Sequence, residues 1–181
     1  MRKLKVNTFV TLDGVMQAPG GPDEDRSGGF TQIFAAHWPD STEPAAEILN
    51  SARKHVASRT LRSVDWNNST LINGDVGKYV SELKEQSGPE IQVHGSGDLL
   101  QTLLKNDLVD EFHVWTFPVV LGSGKRLFAD GAVPAGLKVD SVKTSTTGVV
   151  IATYQRAGAI KYGSFALEEP TAEQWTSSSR S

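Results

Sequence analysis

Four short stretches of the chain carry residue types that could bind an anionic ligand or hold a substrate. In the first, residues 91–104, a strand-like alternation passes through Gly95-Ser96-Gly97 into leucines at helical spacing. Backbone N–H groups and the positive end of a helix dipole would meet at that turn, which favours a phosphate. The residues assigned to this site are Gly95, Ser96, Gly97, Asp98 and Leu99.

An ordinary strand-to-helix connection is the alternative for this turn, because it lacks the third glycine of the full dinucleotide fingerprint. Asp98 is expected to cap the helix, although its negative charge disfavours an anion at the same N–H groups. His94, just before the turn, is expected to be a buried and hydrogen-bonded histidine.

The second stretch, Ser58-Arg59-Thr60, follows a short predicted strand and places one cation beside two hydroxyl groups. That combination suits a phosphate monoester, since a guanidinium and hydroxyls can donate several hydrogen bonds to it. The alternative is a solvated arginine in a loop.

Two glycine turns follow apolar strands and are candidates for a substrate pocket. Asp13 and Gly14 end the first strand, and ligands of open α/β sheets bind at the carboxyl ends of strands. Asp13 is the candidate catalytic acid, as a proton relay or a substrate anchor, and a plain Asp-Gly turn is the alternative. Gly122 and Gly124 belong to a turn with two cations, which predicts either a loop at the pocket mouth or an ordinary loop with solvated side chains.

Alternating and helical patterns predict the elements that position these residues. Strands are expected at 3–10, 54–58, 69–73, 91–94, 112–121 with a bend at Pro118, 137–145 and 148–155, and helices at 31–38, 45–52, 76–86 and after Gly97. The helix at 45–52 should bury Ala45, Ile48, Leu49 and Ala52. Strand-helix alternation favours parallel pairing, and Thr146-Thr147-Gly148 favours an antiparallel hairpin at the end. Residues 17–29 should form a loop.

Composition excludes several classes of protein. The chain has 181 residues, which suits one domain, and a net charge of -3, which gives no basic field for nucleic acid. It has no cysteine and therefore no disulfide or thiolate metal site. No apolar run approaches the roughly 20 residues of a membrane span, and a cytoplasmic protein is the default expectation.

In combination and in this order, four motifs make the chain resemble a known family. They are Thr-Phe-Val-Thr-Leu-Asp-Gly-Val-Met at 8–16, Val-Ala-Ser-Arg-Thr-Leu at 56–61, Val-His-Gly-Ser-Gly-Asp-Leu-Leu-Gln-Thr-Leu-Leu at 93–104 and Phe-Pro-Val-Val-Leu-Gly-Ser-Gly-Lys-Arg-Leu-Phe at 117–128. The chain resembles the dihydrofolate-reductase-like proteins related to the reductase domain of the bacterial bifunctional riboflavin-biosynthesis enzyme. The resemblance covers residues 1–156, and 157–181 is expected to be a partly disordered tail.

The resemblance implies an α/β fold with a mixed, mainly parallel sheet flanked by helices, and NADPH as the cofactor of a reductase. The pyrophosphate would lie at residues 95–99, the 2′-phosphate at 58–60, and the nicotinamide and substrate near Asp13 and Gly14. The loop 122–126 would close one side of the pocket. The substrate would be a small heterocycle, with a pterin and a ribosylamino-pyrimidine such as 5-amino-6-(5-phosphoribosylamino)uracil both open.

One departure from the family concerns the region after Gly28-Gly29-Phe30. Relatives carry there a further helix and a strand ending in Gly-Arg-x-Thr, whereas this chain continues directly into Thr31. The gap favours a second hypothesis, a non-catalytic nucleotide-binding or assembly protein on the same fold. A lost strand should also leave a sheet edge or groove. An exchanged element or a dimer partner could cover it, and a homodimer through the strand at 112–121 is expected.

Overall fold

A five-stranded sheet and a separate pair of strands organise the part of the chain that the computed structural model describes, residues 1–16, 37–94, 97–128, 130–160 and 162–163. The strands are β1 Leu4–Thr11, β2 Lys54–Ala57, β3 Ser69–Ile72, β4 Ile91–His94, β5 Glu111–Phe117, β6 Leu137–Thr144 and β7 Val150–Arg156. The helices are α1 Pro44–Ser51, α2 Val76–Glu85 and α3 Gly97–Lys105, with a short 3₁₀ turn at Trp38–Asp40.

The larger sheet has the strand order β4-β1-β5-β7-β6, with β1 at the junction of the parallel part. β1 runs parallel to both β4 and β5, while β7 runs antiparallel to β5 and β6. The mixed sheet and the antiparallel C-terminal hairpin are thus confirmed. The carboxyl ends of three parallel strands therefore lie along one edge, where the turns after β1, β4 and β5 can meet.

Alternation along β1 directs Leu4, Val6 and Val10 into the core, where they pack against apolar side chains of α2 and α3. Leu103 of α3 is fully buried in this cluster, and a side chain of that kind contributes roughly 1.5–3 kcal/mol by leaving water. Asp75 caps α2, since its Oδ1 accepts the backbone N–H of Lys78 at 2.9 Å.

Three local predictions were wrong. β5 ends at Phe117, because Pro118 has no N–H with which to continue the strand. Asp98 lies inside the first turn of α3, which begins at Gly97, and so does not cap it. α1 buries Ala46 and leaves Ile48 71% exposed, since the helix is rotated relative to its apolar pattern.

β2 and β3 pair only with each other among the described residues, and β4 pairs only with β1. β4 is thus an edge in that part of the chain, which agrees with the expected loss of a strand. The smaller sheet is tied to α2 by a hydrogen bond of 2.9 Å between His55 Nδ1 and the Tyr79 hydroxyl. The predicted loop 17–29, most of the predicted helix 31–38 and most of the tail 157–181 lie outside the described residues.

Candidate functional site

The turn after β1 is organised around the Asp13 carboxylate. It accepts hydrogen bonds from the Thr11 hydroxyl at 2.5 Å, from Gly122 N at 2.8 Å and from Leu121 N at 3.3 Å. The Thr11 hydroxyl and then the Gly122 N–H lower the pKa of Asp13 from its ordinary 3.8 to about 2, because they stabilise the charged form. Asp13 is therefore ionised at neutral pH and holds the loop after β5 to the turn after β1.

The segment after β5 lies along that turn and is held by backbone hydrogen bonds. Leu12 N donates to Val119 O at 2.8 Å, Met16 N to Lys125 O at 2.8 Å, and Leu127 N to Gly14 O at 3.0 Å. A further donor is the Arg126 guanidinium, which binds the carbonyl of Asp13. These contacts make the segment a fixed wall at the carboxyl edge of the sheet.

The N-terminus of α3 meets both of these segments. A Cβ placed on Gly97 would lie 3.6 Å from Met16 Sδ and 3.9 Å from Arg126 O. From the same helix, Gln101 Nε2 donates to Leu127 O at 2.9 Å. Three of the four stretches selected from the sequence thus converge at one point.

The fourth stretch reaches the same helix through an ion pair. Arg59 Nη2 lies 2.9 Å from Asp98 Oδ2, and the two side chains are 88% and 82% exposed. Ser58 Oγ accepts the backbone N–H groups of Thr60 at 3.2 Å and Leu61 at 3.1 Å, which shapes the turn. The guanidinium is therefore presented to solvent beside the first turn of α3.

A cleft of about 280 Å³ opens beside the turn after β1. Its lining is mostly apolar and includes Val10, Val114, Leu127 and Phe128, together with Gly14 and Arg126. A second recess of about 310 Å³ shares Phe112, Phe128 and Leu137 with it and extends toward Ile160. Mostly apolar walls with one cation suit a flat ring that carries an anionic substituent.

The other candidate residues, Leu99 and the two glycine turns, do not line the cleft where the structure describes them. Gly95 and Ser96 lie outside the described residues. Leu99 is partly buried and packs against the core. Gly122 and Gly124 do not line the cleft, and both have positive φ angles of 79° and 131° that favour glycine in the loop.

His94 differs from the prediction, because its side chain is exposed and not buried. Its Nε2 lies 3.3 Å from Oε1 of Gln92, which is two residues earlier on the same face of β4. The alternation along β4 places His94 on the exposed face with Gln92, opposite the buried Val93, so the pattern of the strand already argued against a buried histidine.

Sequence reasoning overlooked Thr11, Met16 and Gln101. Thr11 Oγ also accepts the N–H of Val15 at 3.1 Å, which closes the turn locally. A Thr-x-Asp-Gly pattern at a strand end favours such a side-chain turn and could have identified Thr11. The contacts of Met16 and Gln101 depend on how α3 is placed, and no local pattern encodes that.

Within the described ranges, no helix is long and apolar enough to cross a membrane. The same part of the chain contains no cluster of three or more histidine or carboxylate side chains that could hold a metal ion.

Comparison with known proteins gives a match to a family model and to a curated relative from Bacillus subtilis. Residues 29–152 match the family model of the RibD C-terminal domain. The uncharacterized protein YyaP of Bacillus subtilis (strain 168) is 30% identical over 182 residues, 87% of this chain and 96% of YyaP.

Solved structures show the same fold at low identity. A candidate riboflavin biosynthesis protein from Shewanella sp. PV-4 gives a TM-score of 0.61 at 20% identity, over 86% of this chain and 99% of that one. The diaminohydroxyphosphoribosylaminopyrimidine deaminase/5-amino-6-(5-phosphoribosylamino)uracil reductase of Thermotoga maritima gives 0.54 at 14% identity, over 86% of this chain and 57% of that one. The dihydrofolate-reductase-like fold predicted from the motifs is confirmed.

The match with YyaP also bears on the missing segment. It extends over 182 residues but uses 87% of the 181 residues here, about 157, so about 25 of its positions have no counterpart in this chain. A gap of that size is enough for a helix and a strand. It agrees with the unpaired edge of β4 in the described structure.

Proposed function

We propose, on the premise that the chain belongs to the RibD C-terminal domain family, that it is an NADPH-dependent reductase of a small heterocyclic compound. The observation that carries the proposal is the convergence at Gly97, where the N-terminus of α3 meets the turn after β1 and the segment after β5. Arg59 lies beside the same helix turn through its contact with Asp98.

The residues around α3 offer hydrogen-bond donors of the kinds that bind a phosphorylated dinucleotide. The N-terminal end of α3 carries the positive end of the helix dipole, which favours the pyrophosphate. Arg59, with the hydroxyls of Ser58 and Thr60, would hold the 2′-phosphate. NADPH would supply the hydride when bound.

Asp13 is proposed as a positioning residue and not as the proton donor. A carboxyl with a pKa of about 2 carries almost no proton at neutral pH, and its oxygens are already engaged by Thr11, Gly122 and Leu121. Its contribution would be to keep Gly14 and the segment after β5 in place around the ring of the substrate.

The cleft favours a substrate with a planar ring and an anionic group. Apolar walls formed by Val114 and Phe128 suit the ring, and Arg126 at the same cleft can attract a phosphate. A ribosylamino-pyrimidine phosphate has both parts, whereas a pterin has only the ring. Comparing the two as substrates would separate these classes.

A second candidate function, nucleotide binding without catalysis, is favoured by the departure after Phe30 and by the total of about 25 positions of the YyaP match that have no counterpart in this chain. The family resemblance implies that the missing helix would line the substrate pocket and that the missing Gly-Arg-x-Thr turn would face the cofactor phosphates. Loss of this segment would therefore weaken both turnover and cofactor binding.

Two measurements on the full chain test the proposal. Titration followed by NADPH fluorescence should give saturable binding, and a reductase should also oxidise NADPH when a pyrimidine substrate is added. Binding without substrate-dependent oxidation would support the second candidate. No binding at high-micromolar NADPH would contradict both.

A further inference from the structure

We infer that Asp98 weakens the affinity of this chain for a 2′-phosphorylated nucleotide by holding the guanidinium of Arg59 in an ion pair. The inference rests on the proposed function, since it concerns how the cofactor's 2′-phosphate is recognised. It assigns to Asp98 the role of a specificity-determining residue whose carboxylate competes with the ligand.

The Asp98 carboxylate lies directly against Arg59, the residue proposed to bind the 2′-phosphate. Arg59 Nη2 donates to Asp98 Oδ2 at 2.9 Å, which is the distance that a phosphate oxygen would take. Arg59 forms this bond while 88% exposed, so its guanidinium is accessible from solvent as well. A 2′-phosphate reaching Arg59 would therefore meet the Asp98 carboxylate at the same place.

The position of Asp98 in α3 makes the competition persist. Asp98 lies in the first turn, where the helix dipole stabilises a negative side chain. A 2′-phosphate bound to Arg59 would be repelled by the Asp98 carboxylate beside it. This repulsion opposes a dianion more strongly than a neutral hydroxyl, so Asp98 should lower selectivity for the phosphorylated ligand.

The ion pair itself is weak enough to be exchanged for a phosphate. Pairs between exposed side chains contribute little to stability, because water and salt screen them. Arg59 can therefore leave Asp98 when a dianion arrives, and removal of the carboxylate should not unfold the chain. We expect Asp98→Asn to strengthen binding by about three- to tenfold.

The experiment uses calorimetric titration with 2′,5′-ADP and with 5′-AMP, which lacks the 2′-phosphate. The proteins are the parent chain, Asp98→Asn, Arg59→Gln and the double variant. Glu82→Gln serves as the matched control, because it removes one exposed negative charge from α2, where Glu82 pairs only loosely with Lys78 at 3.9 Å.

We expect Asp98→Asn to tighten binding of 2′,5′-ADP by about three- to tenfold and that of 5′-AMP by less than about twofold. The gain should disappear when Arg59 is also changed, and Glu82→Gln should leave both affinities unchanged. An unchanged affinity for 2′,5′-ADP, an equal gain for both ligands, or a gain that persists without Arg59 would each overturn the inference.

The same titrations separate this inference from the proposed function. If the parent binds 2′,5′-ADP and Asp98→Asn binds it no better, only the role of Asp98 is wrong. If neither protein binds 2′,5′-ADP or NADPH at high-micromolar concentration, both proposals fail.

Discussion

The Asp13 carboxylate and the backbone N–H of Gly122, 109 positions apart in the chain, form a hydrogen bond of 2.8 Å. This contact joins the turn after β1 to the loop after β5 at the carboxyl edge of the sheet. The Thr11 hydroxyl holds the same carboxylate from the other side. The ionised Asp13 side chain therefore adds to the backbone hydrogen bonds that hold the proposed pocket mouth.

Replacing Asp13 with Asn should loosen that mouth. The side-chain amide keeps the size of the carboxyl but removes the charge that accepts three hydrogen bonds. We expect a lower melting temperature and faster amide exchange at Gly122, with Asp140→Asn on exposed β6 as a control that changes neither.

The low pKa of Asp13 gives this prediction a pH dependence. Because the pKa in the folded state is about 2 and the ordinary value is 3.8, the stabilisation is complete above 3.8 and is lost as the pH falls toward 2. The difference in melting temperature between the parent and Asp13→Asn should shrink over that range. A constant difference from pH 6 to pH 2 would contradict the assignment.

Gly97 should accept a methyl group without loss of folding. A Cβ there would make ordinary contact with Met16 Sδ at 3.6 Å, and alanine is the better helix former. Gly97→Leu should keep the parent circular dichroism yet weaken NADPH binding by about tenfold or more, because its side chain would fill the space at the helix N-terminus. Parent-like NADPH affinity in Gly97→Leu would exclude the cofactor from this turn.

Lys84 should be important for stability and not for binding. It is only 3% exposed, and its Nζ donates to Leu108 O at 2.7 Å and to Asp110 Oδ2 at 2.6 Å. Asp110 Oδ2 in turn accepts the N–H of Leu4 at 2.7 Å, so the lysine links α2 to β1 and to the segment just before β5. Lys84→Met should lower the free energy of unfolding by about 2–4 kcal/mol. The loss is limited because water can still hydrate the partly exposed Asp110 carboxylate.

Denaturant unfolding would check the Lys84 prediction. Exposed Lys78→Met on the same helix is the control and should change stability by less than about 0.5 kcal/mol. Equal effects of the two substitutions would show that the buried contacts carry no special weight.

His55 gives the smaller sheet its own pH dependence. Burial, and then the charges of Arg2 and Arg53, lower the pKa of His55 below its ordinary 6.5, so the folded chain binds the proton less well than the unfolded chain. Stability from this site is therefore full above 6.5 and is lost as the pH falls toward the lowered pKa. Melting temperature should fall more steeply from pH 7 to pH 5 in the parent than in His55→Asn.

Tyr79→Phe tests the same site from the other side of the hydrogen bond. Removal of the hydroxyl should cost about 0.5–1.5 kcal/mol at pH 7 and leave NADPH binding unchanged. An effect on cofactor affinity would mean that the smaller sheet is coupled to α3 more directly than its described contacts indicate.

Local sequence patterns predicted most elements because their signals lie within a few residues. The i, i+3, i+4 spacing of Val76, Tyr79 and Val80 and the cap at Asp75 specify α2 without tertiary information. The same holds for the terminal hairpin, whose turn residues determine its register. The orientation of α1 was predicted wrongly because tertiary packing buries Ala46, and that packing is not encoded in the helix pattern.

The candidate site was predictable in its parts and not in its connections. Glycine turns at strand ends indicated where ligands could bind, but the pairing of Arg59 with Asp98 joins residues 39 positions apart. Likewise, the hydrogen bonds between Asp13 and the loop after β5 could not be predicted without knowing the order of the strands in the sheet. Whether these residues bind NADPH, and whether the chain forms a homodimer through the strand that contains Trp115, stay predictions.

The most direct test of the account is the affinity for NADPH of the parent and of Arg59→Glu, measured by fluorescence titration alongside NADH. If the guanidinium beside α3 holds the 2′-phosphate, the substitution should weaken NADPH binding by about tenfold or more and change NADH binding much less. Equal NADPH affinity in the two proteins would contradict the account.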